Sequence, residues 1–162
     1  MKLDPKTTAF VFPGQGSQTV GMGKALAEEY AETKQLFEQA DAILGFPLST
    51  FMWDGPEADL NDTLNTQPAL FLHSFASFEA FTRRFPGFEP ASAAGHSLGE
   101  ISALAAAGAL SFTDGLRLVR KRGELMKRAG ELAPGSMAAI LGADISTLDK
   151  VCAEASTANE IV

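Results

Sequence analysis

The run Thr8-Ala9-Phe10-Val11-Phe12 packs two aromatics and a β-branched residue ahead of Pro13-Gly14, which predicts a short buried strand ending in a turn. Gly14-Gln15-Gly16-Ser17-Gln18 follows, rich in residues that free the backbone for tight turns, so its N–H groups can point into a cleft. From Gly21 to Leu44 the spacing turns helical, in two pieces, with Leu26, Tyr30, Leu36, Phe37, Ala40 and Leu44 as the inward set and Gly45 as the C-cap. Pro47, Gly55 and Pro56 break the stretch from Phe46 to Asn65 into one or two brief helices between loops, with Trp53 assigned to the core. Thr66 is expected to cap the next helix, with Pro68 in its first turn. From Ala69 to Phe85 that helix is apolar on nearly every face and is expected to be buried, its Phe71, Phe75 and Phe78 forming a packing stripe.

A loop from Pro86 to Pro90 leads into Ala91-Ser92-Ala93-Ala94-Gly95-His96, a small-residue strand that runs directly into Ser97-Leu98-Gly99-Glu100 and an Ala-rich helix through Gly108. Ala103, Ala105 and Ala106 let that helix sit close to a sheet, which suits the central position of a doubly wound α/β fold. Ser111 or Thr113 caps a long helix with the stripe Phe112, Leu116, Val119 and Met126. After Pro134-Gly135, Ser136 to Leu141 reads as a strand, and Ser146 as the cap of a helix carrying Leu148, Val151, Cys152 and Ala155. Glu160-Ile161-Val162 has the pattern of another strand opening. No repeat or low-complexity tract argues for a solenoid.

At 162 residues and 46% hydrophobic content the chain is of single-domain size and ordinary globular composition, so a sizeable core is available. Thirteen Lys and Arg against twenty Asp and Glu give a formal net charge of −7, which disfavours a nucleic-acid partner. The single cysteine, Cys152, excludes an internal disulfide framework and a cysteine zinc site, fits a reducing compartment, and reads as a small buried apolar residue. Met1 to Lys6 carries an acid and a proline where a secretory apolar core would begin, and no uninterrupted apolar stretch of about 18 residues follows, so a cytoplasmic protein is expected.

The candidate chemistry lies at Gly95-His96-Ser97-Leu98-Gly99. It matches G-x-S-x-G between a predicted strand and a predicted helix, the context in which a serine is held on a sharp, strained turn with its hydroxyl exposed. The Leu98 N–H, at the start of the helix, then faces an acyl oxygen. Such a serine needs a base, ordinarily a histidine later in the chain, yet the two histidines are His73, in the apolar helix, and His96, whose ring should point away from Ser97. His73 reads as a core or helix-surface residue and His96 as a packing or hydrogen-bonding neighbour. Either the chain is not an enzyme or it is incomplete. The strand-like final residues, the unpartnered last helix and the small number of strands favour an N-terminal piece.

Phe12-Pro13-Gly14-Gln15-Gly16-Ser17-Gln18, Thr66-Gln67-Pro68-Ala69-Leu70, Gly95-His96-Ser97-Leu98-Gly99-Glu100 and Arg120-Lys121-Arg122-Gly123 stand in the order found in malonyl-CoA:acyl-carrier-protein transacylases, which the chain resembles over essentially its whole length. The resemblance implies an α/β fold: an α/β-hydrolase-like acyltransferase subdomain, its first segment at 1–135, and an inserted ferredoxin-like subdomain that starts at 136–162 and is truncated here. It implies that Ser97 accepts the acyl group and that the backbone N–H groups of Gln15 and Leu98 form the oxyanion hole. Arg122 would pair with the free carboxylate of malonate, which suits a fork of donors that stays charged when desolvated. Gln67 is either a polar residue of the substrate pocket, with His96 nearby, or a first-turn helix residue. The general-base histidine would lie beyond residue 162.

By the same resemblance the substrates are malonyl-CoA and the phosphopantetheine thiol of acyl carrier protein, with no metal and no bound cofactor. The stretch from Arg117 to Arg128 holds Arg117, Arg120, Lys121, Arg122, Lys127 and Arg128 against the single acid Glu124. It is either a solvated helix face or a docking surface for an acidic carrier protein. The rival expectations are an acyltransferase domain of a polyketide synthase, a serine hydrolase that shares the elbow but has no use for Arg122, and a non-catalytic remnant.

Overall fold

The computed structural model describes residues 3–133, 135 and 140–158. The chain divides into two compact units, Met1–Leu132 and Ala133–Val162. In the first, a short 3-10 turn at Pro5–Thr7 leads into β1 (Ala9–Phe12), followed by α1 (Lys24–Glu29), α2 (Ala31–Leu44), α3 (Leu48–Asp54), α4 (Glu57–Asn61) and α5 (Thr63–Arg84). β2 (Ser92–Gly95), α6 (Gly99–Ala106) and α7 (Phe112–Leu132) complete it. The second contains α8 (Ile145–Ala155). The two pieces expected between Gly21 and Leu44 are α1 and α2, and Gly45 ends α2 with φ +77°.

β1 and β2 pair in parallel, Phe12 opposite Gly95, so both strands end at the same edge and deliver Pro13 and Ser97 to it. The burial expected of β1 is only half realised. Phe12 is buried and Phe10 is packed edge-on against Phe78 and Phe81, whereas Val11, on the opposite face, is 75% exposed. Alternation along a strand carries the two sets to opposite faces, and α5 lines only one of them.

α5 is the central element. Ala69, Leu70, Phe71, Leu72 and Ala76 are buried among Phe37 and Ala40 of α2, Leu48 and Met52 of α3, and Leu116 and Val119 of α7. Phe71 stacks on Phe112 at 5.9 Å and Phe75 lies tilted against it at 5.1 Å between ring centroids, so the aromatic stripe is packing. Trp53 lies 5.3 Å from Phe37 and is half-buried at the rim of this core.

The start of α5 differs from the expectation. The cap is Asp62, whose carboxylate accepts the Leu64 N–H at 2.9 Å, while Thr66 is buried one turn inside and donates its hydroxyl to the Leu60 carbonyl at 2.6 Å. Pro68 therefore sits within the helix rather than in its first turn. The Lys127 ammonium at 2.7 Å, and then the Leu64 N–H, hold the Asp62 carboxyl below its ordinary range. Ser111 caps α7, its Oγ accepting the Asp114 N–H at 3.0 Å.

In the second unit the cap of α8 is Asp144, which accepts the Thr147 N–H at 2.8 Å, while Ser146 donates its hydroxyl to the same carboxylate. A carboxylate one residue before the helix reaches the N3 amide better than a hydroxyl inside the first turn. Cys152 is half-buried, not buried. The strand expected from Ser136 lies largely outside the described residues, with 140 and 141 in neither strand nor helix, and that at 160–162 lies wholly outside them.

Candidate active site

The edge where β1 and β2 end is built by close backbone approach. A Cβ on Gly99 would collide with the Phe12 carbonyl, and one on Gly14 would stand 2.6 Å from the His96 Nδ1 and 2.7 Å from its carbonyl oxygen. Only hydrogen fits at either position, so the turn after β1 lies directly against the turn after β2. The His96 N–H donates to the Phe12 carbonyl at 3.1 Å, and the His96 carbonyl accepts the Gly99 N–H at 2.8 Å. Between them Ser97 has φ +52°, the one positive-φ residue other than glycine among those described. A β-carbon in that region costs of order 1 kcal/mol, here held by the hydrogen bonds on both sides of it. The strained, exposed serine expected of the motif is therefore present.

Leu98 is buried and stands at the head of α6. Its backbone N–H and that of Gln15, in the turn beyond Gly14, donate to no backbone carbonyl among the described residues. The Gln15 side chain turns away, its Nε2 lying 3.4 Å from Thr63 Oγ1. His96 stays exposed with its ring at Gly14, a neighbour of the turn. His73 is half-buried on α5. Burial lowers its pKa from the ordinary value of 6.5, which favours the neutral ring.

α5 and α7 bring two further side chains to the serine. Arg122 Nη2 donates to Ser97 Oγ at 2.9 Å and Nη1 donates to Gln67 Oε1 at 2.8 Å. Gln67 is wholly buried in the second turn of α5, and its amide also donates toward Met126 Sδ at 3.1 Å. The buried glutamine fixes one terminal nitrogen of the half-exposed guanidinium while the other meets the serine hydroxyl, which holds an oriented, charged donor group beside Ser97. The resemblance placed Gln67 either in a substrate pocket or in the first turn of a helix, and it stands in the second turn as the acceptor for Arg122. The contact joins residues 55 apart in the chain, and only the packing of α7 on α5 brings them together.

The basic stretch does not form one face. Arg120 and Arg122 point back to α5, Lys121 pairs with Glu124 at 3.1 Å and Lys127 with Asp62 at 2.7 Å, while Arg117 and Arg128 remain exposed. Among the described residues no three His, Cys, Asp or Glu side chains gather into a group able to hold a metal ion. No helix among them is long and apolar enough to cross a membrane.

The chain that carries this arrangement is similar to known proteins along most of its length. Residues 9–157 match the family model described as the acyl transferase domain. The chain is 51% identical over 143 residues to the malonyl CoA-acyl carrier protein transacylase of Bacillus subtilis, covering 88% of this chain and 44% of that protein. Among solved structures it superposes on the malonyl CoA-acyl carrier protein transacylase of Coxiella burnetii with a TM-score of 0.85 and 38% identity, over 95% of this chain and 48% of the other. A malonyl-transacylase in complex with its type II polyketide synthase acyl carrier protein matches at TM-score 0.80 and 42% identity, over 90% and 47%. The chain spans about half the length of the curated relatives it matches. The family model runs from β1 through α8, so the chain belongs to the acyl transferase domain family.

Proposed function

We propose that this chain is the N-terminal part of an enzyme that moves a malonyl group from malonyl-CoA to the phosphopantetheine thiol of acyl carrier protein for fatty acid synthesis. The observation that carries the reading is the Arg122 guanidinium within hydrogen-bond distance of Ser97 Oγ, oriented by Gln67. Ser97 Oγ attacks the thioester carbonyl, the C–O bond forms as the C–S bond breaks, and coenzyme A leaves as a thiol with the proton that the serine gives up. The carrier thiol then attacks the serine ester in the reverse sense and the proton returns to Ser97. The Gln15 and Leu98 N–H groups receive the charge that develops on the carbonyl oxygen, and Arg122 takes the malonyl carboxylate through its terminal nitrogens. An acetyl group leaves that arginine unpaired, which turns a missing carboxylate into selectivity.

Neither His73, half-buried on α5, nor His96, turned to Gly14, stands as a base for Ser97, so the base comes from the remainder of the polypeptide. In this reading no metal or bound cofactor takes part, and the enzyme works in the cytoplasm. Unit Met1–Leu132 is the first segment of the hydrolase-like subdomain, and the chain after it opens the inserted ferredoxin-like subdomain, a reading supported by the division of the chain after Leu132.

The test is intact-mass spectrometry of the full-length protein before and after brief exposure to malonyl-CoA. A single malonyl adduct is expected, absent from Ser97→Ala. An adduct that survives in Ser97→Ala, or none on the parent, overturns the reading. A serine hydrolase sharing the elbow would keep its activity on uncharged esters in Arg122→Ala and would show no malonyl preference to lose.

A further inference from the structure

We propose that Arg120 is a positioning residue for the carboxylate seat: by occupying the carbonyl that Pro68 leaves open in α5, it fixes the rotation of α7 at which Arg122 meets Ser97. The inference rests on the role assigned to Arg122 above. Pro68 has no N–H, so the carbonyl of Leu64, four residues earlier, has no donor within the helix. Arg120 Nη1 supplies one at 2.8 Å and also reaches Asn65 Oδ1 at 3.2 Å. Its guanidinium lies 4.9 Å from the centre of the Phe46 ring, and its Nε is 3.7 Å from Glu124 Oε1. This side chain is 27% exposed and held by a carbonyl, an amide, a ring and a carboxylate.

The helix geometry links it to Arg122. Val119 and Gly123 form the buried ridge of α7, and a Cβ on Gly123 would stand 2.9 Å from the Thr63 carbonyl oxygen, so the two helices lie almost backbone to backbone there. At about 100° per residue, Arg120 and Arg122 project about 80° to either side of that ridge. Each reaches α5, Arg120 at Leu64 and Asn65 and Arg122 at Gln67. Turning α7 about its axis draws one guanidinium toward α5 as it withdraws the other. The Arg120 contact is therefore a stop on the rotation that sets how far Arg122 extends toward Ser97.

The experiment compares full-length protein carrying Arg120→Met, Arg120→Lys, Pro68→Ala, or Arg120→Met with Pro68→Ala. It reads the KM for malonyl-CoA, the ratio of serine-ester formation from malonyl-CoA and acetyl-CoA, and the melting temperature. Arg120→Met is expected to raise KM and to lower the malonyl-to-acetyl ratio by about tenfold, with Arg120→Lys changed less in the same direction. Adding Pro68→Ala restores an N–H for Leu64, so it recovers melting temperature but not the ratio. A ratio equal to the parent's in both Arg120 variants overturns the proposal, as does recovery of the ratio together with the melting temperature. If Arg120→Met does not fold, Arg120→Lys decides by the same ratio. A parent protein that forms no malonyl ester removes the proposed function and this inference with it, whereas an active parent with unchanged Arg120 variants removes this inference alone.

Discussion

Ser97 carries its strain in the backbone, and that separates two roles of one residue. Its φ of +52° penalises any β-carbon, while its hydroxyl accepts from Arg122. Ser97→Ala and Ser97→Gly both delete the hydroxyl, but only glycine relieves the backbone. Ser97→Gly should therefore be more stable than Ser97→Ala by about 1 kcal/mol, although glycine is ordinarily the less stable of the two next to a helix. Thermal or denaturant melts of the two full-length variants decide it. Equal stabilities would mean that the turn relaxes when the hydroxyl is lost, and that the strain is not stored in the fold. The G-x-S-x-G spacing made this residue legible because the strain is local. Gln67 was only half legible, because its partner Arg122 comes from another helix and nothing within several residues of it marks a buried glutamine as an arginine's acceptor.

Elements assemble here by the closeness of their backbones, and glycine means opposite things at different points. Gly99 begins α6 against the Phe12 carbonyl, whereas Gly130, in the last part of α7, has open space around the place a Cβ would occupy. Gly99→Ala should cost about 3 kcal/mol by driving α6 off the end of β1. Gly130→Ala should stabilise by about 0.5–1 kcal/mol through its helix propensity alone. Melting both variants of the full-length protein checks this, and a mild effect at Gly99 would show that the helix can slide without loss. The periodicity of α2, α5 and α7 was readable because each buries a stripe. The start of α5 was not, because Thr66 and Asp62 are both good caps, and the donor that satisfies the Leu64 carbonyl left open by an internal Pro68 comes from Arg120, 56 residues beyond Leu64.

At the scale of the whole molecule, the sheet that β1 and β2 form among the described residues is bare on one face. Parallel strands are ordinarily covered on both faces, and a sheet of two strands is below the usual size. Here α5 lines the face of Phe10 and Phe12, while Val11 on the other face is 75% exposed, beside Ala94 of β2, which is also exposed. Composition cannot reveal this, because the run from Thr8 to Phe12 reads as buried whether or not its cover is present. If the remainder of a polypeptide about twice this long packs on that face, Val11→Thr has two opposite consequences. In the full-length protein it places a hydroxyl in an apolar contact and should destabilise by about 1–2 kcal/mol. In the 162-residue chain alone it removes exposed apolar surface, so binding of a hydrophobic dye should fall while the chain, lacking the cover, still shows no cooperative thermal transition. A cooperative, monomeric melt of the short chain without dye binding, and a neutral Val11→Thr at both lengths, would mean that this face is solvent-facing by nature and that the half present here is a self-sufficient domain.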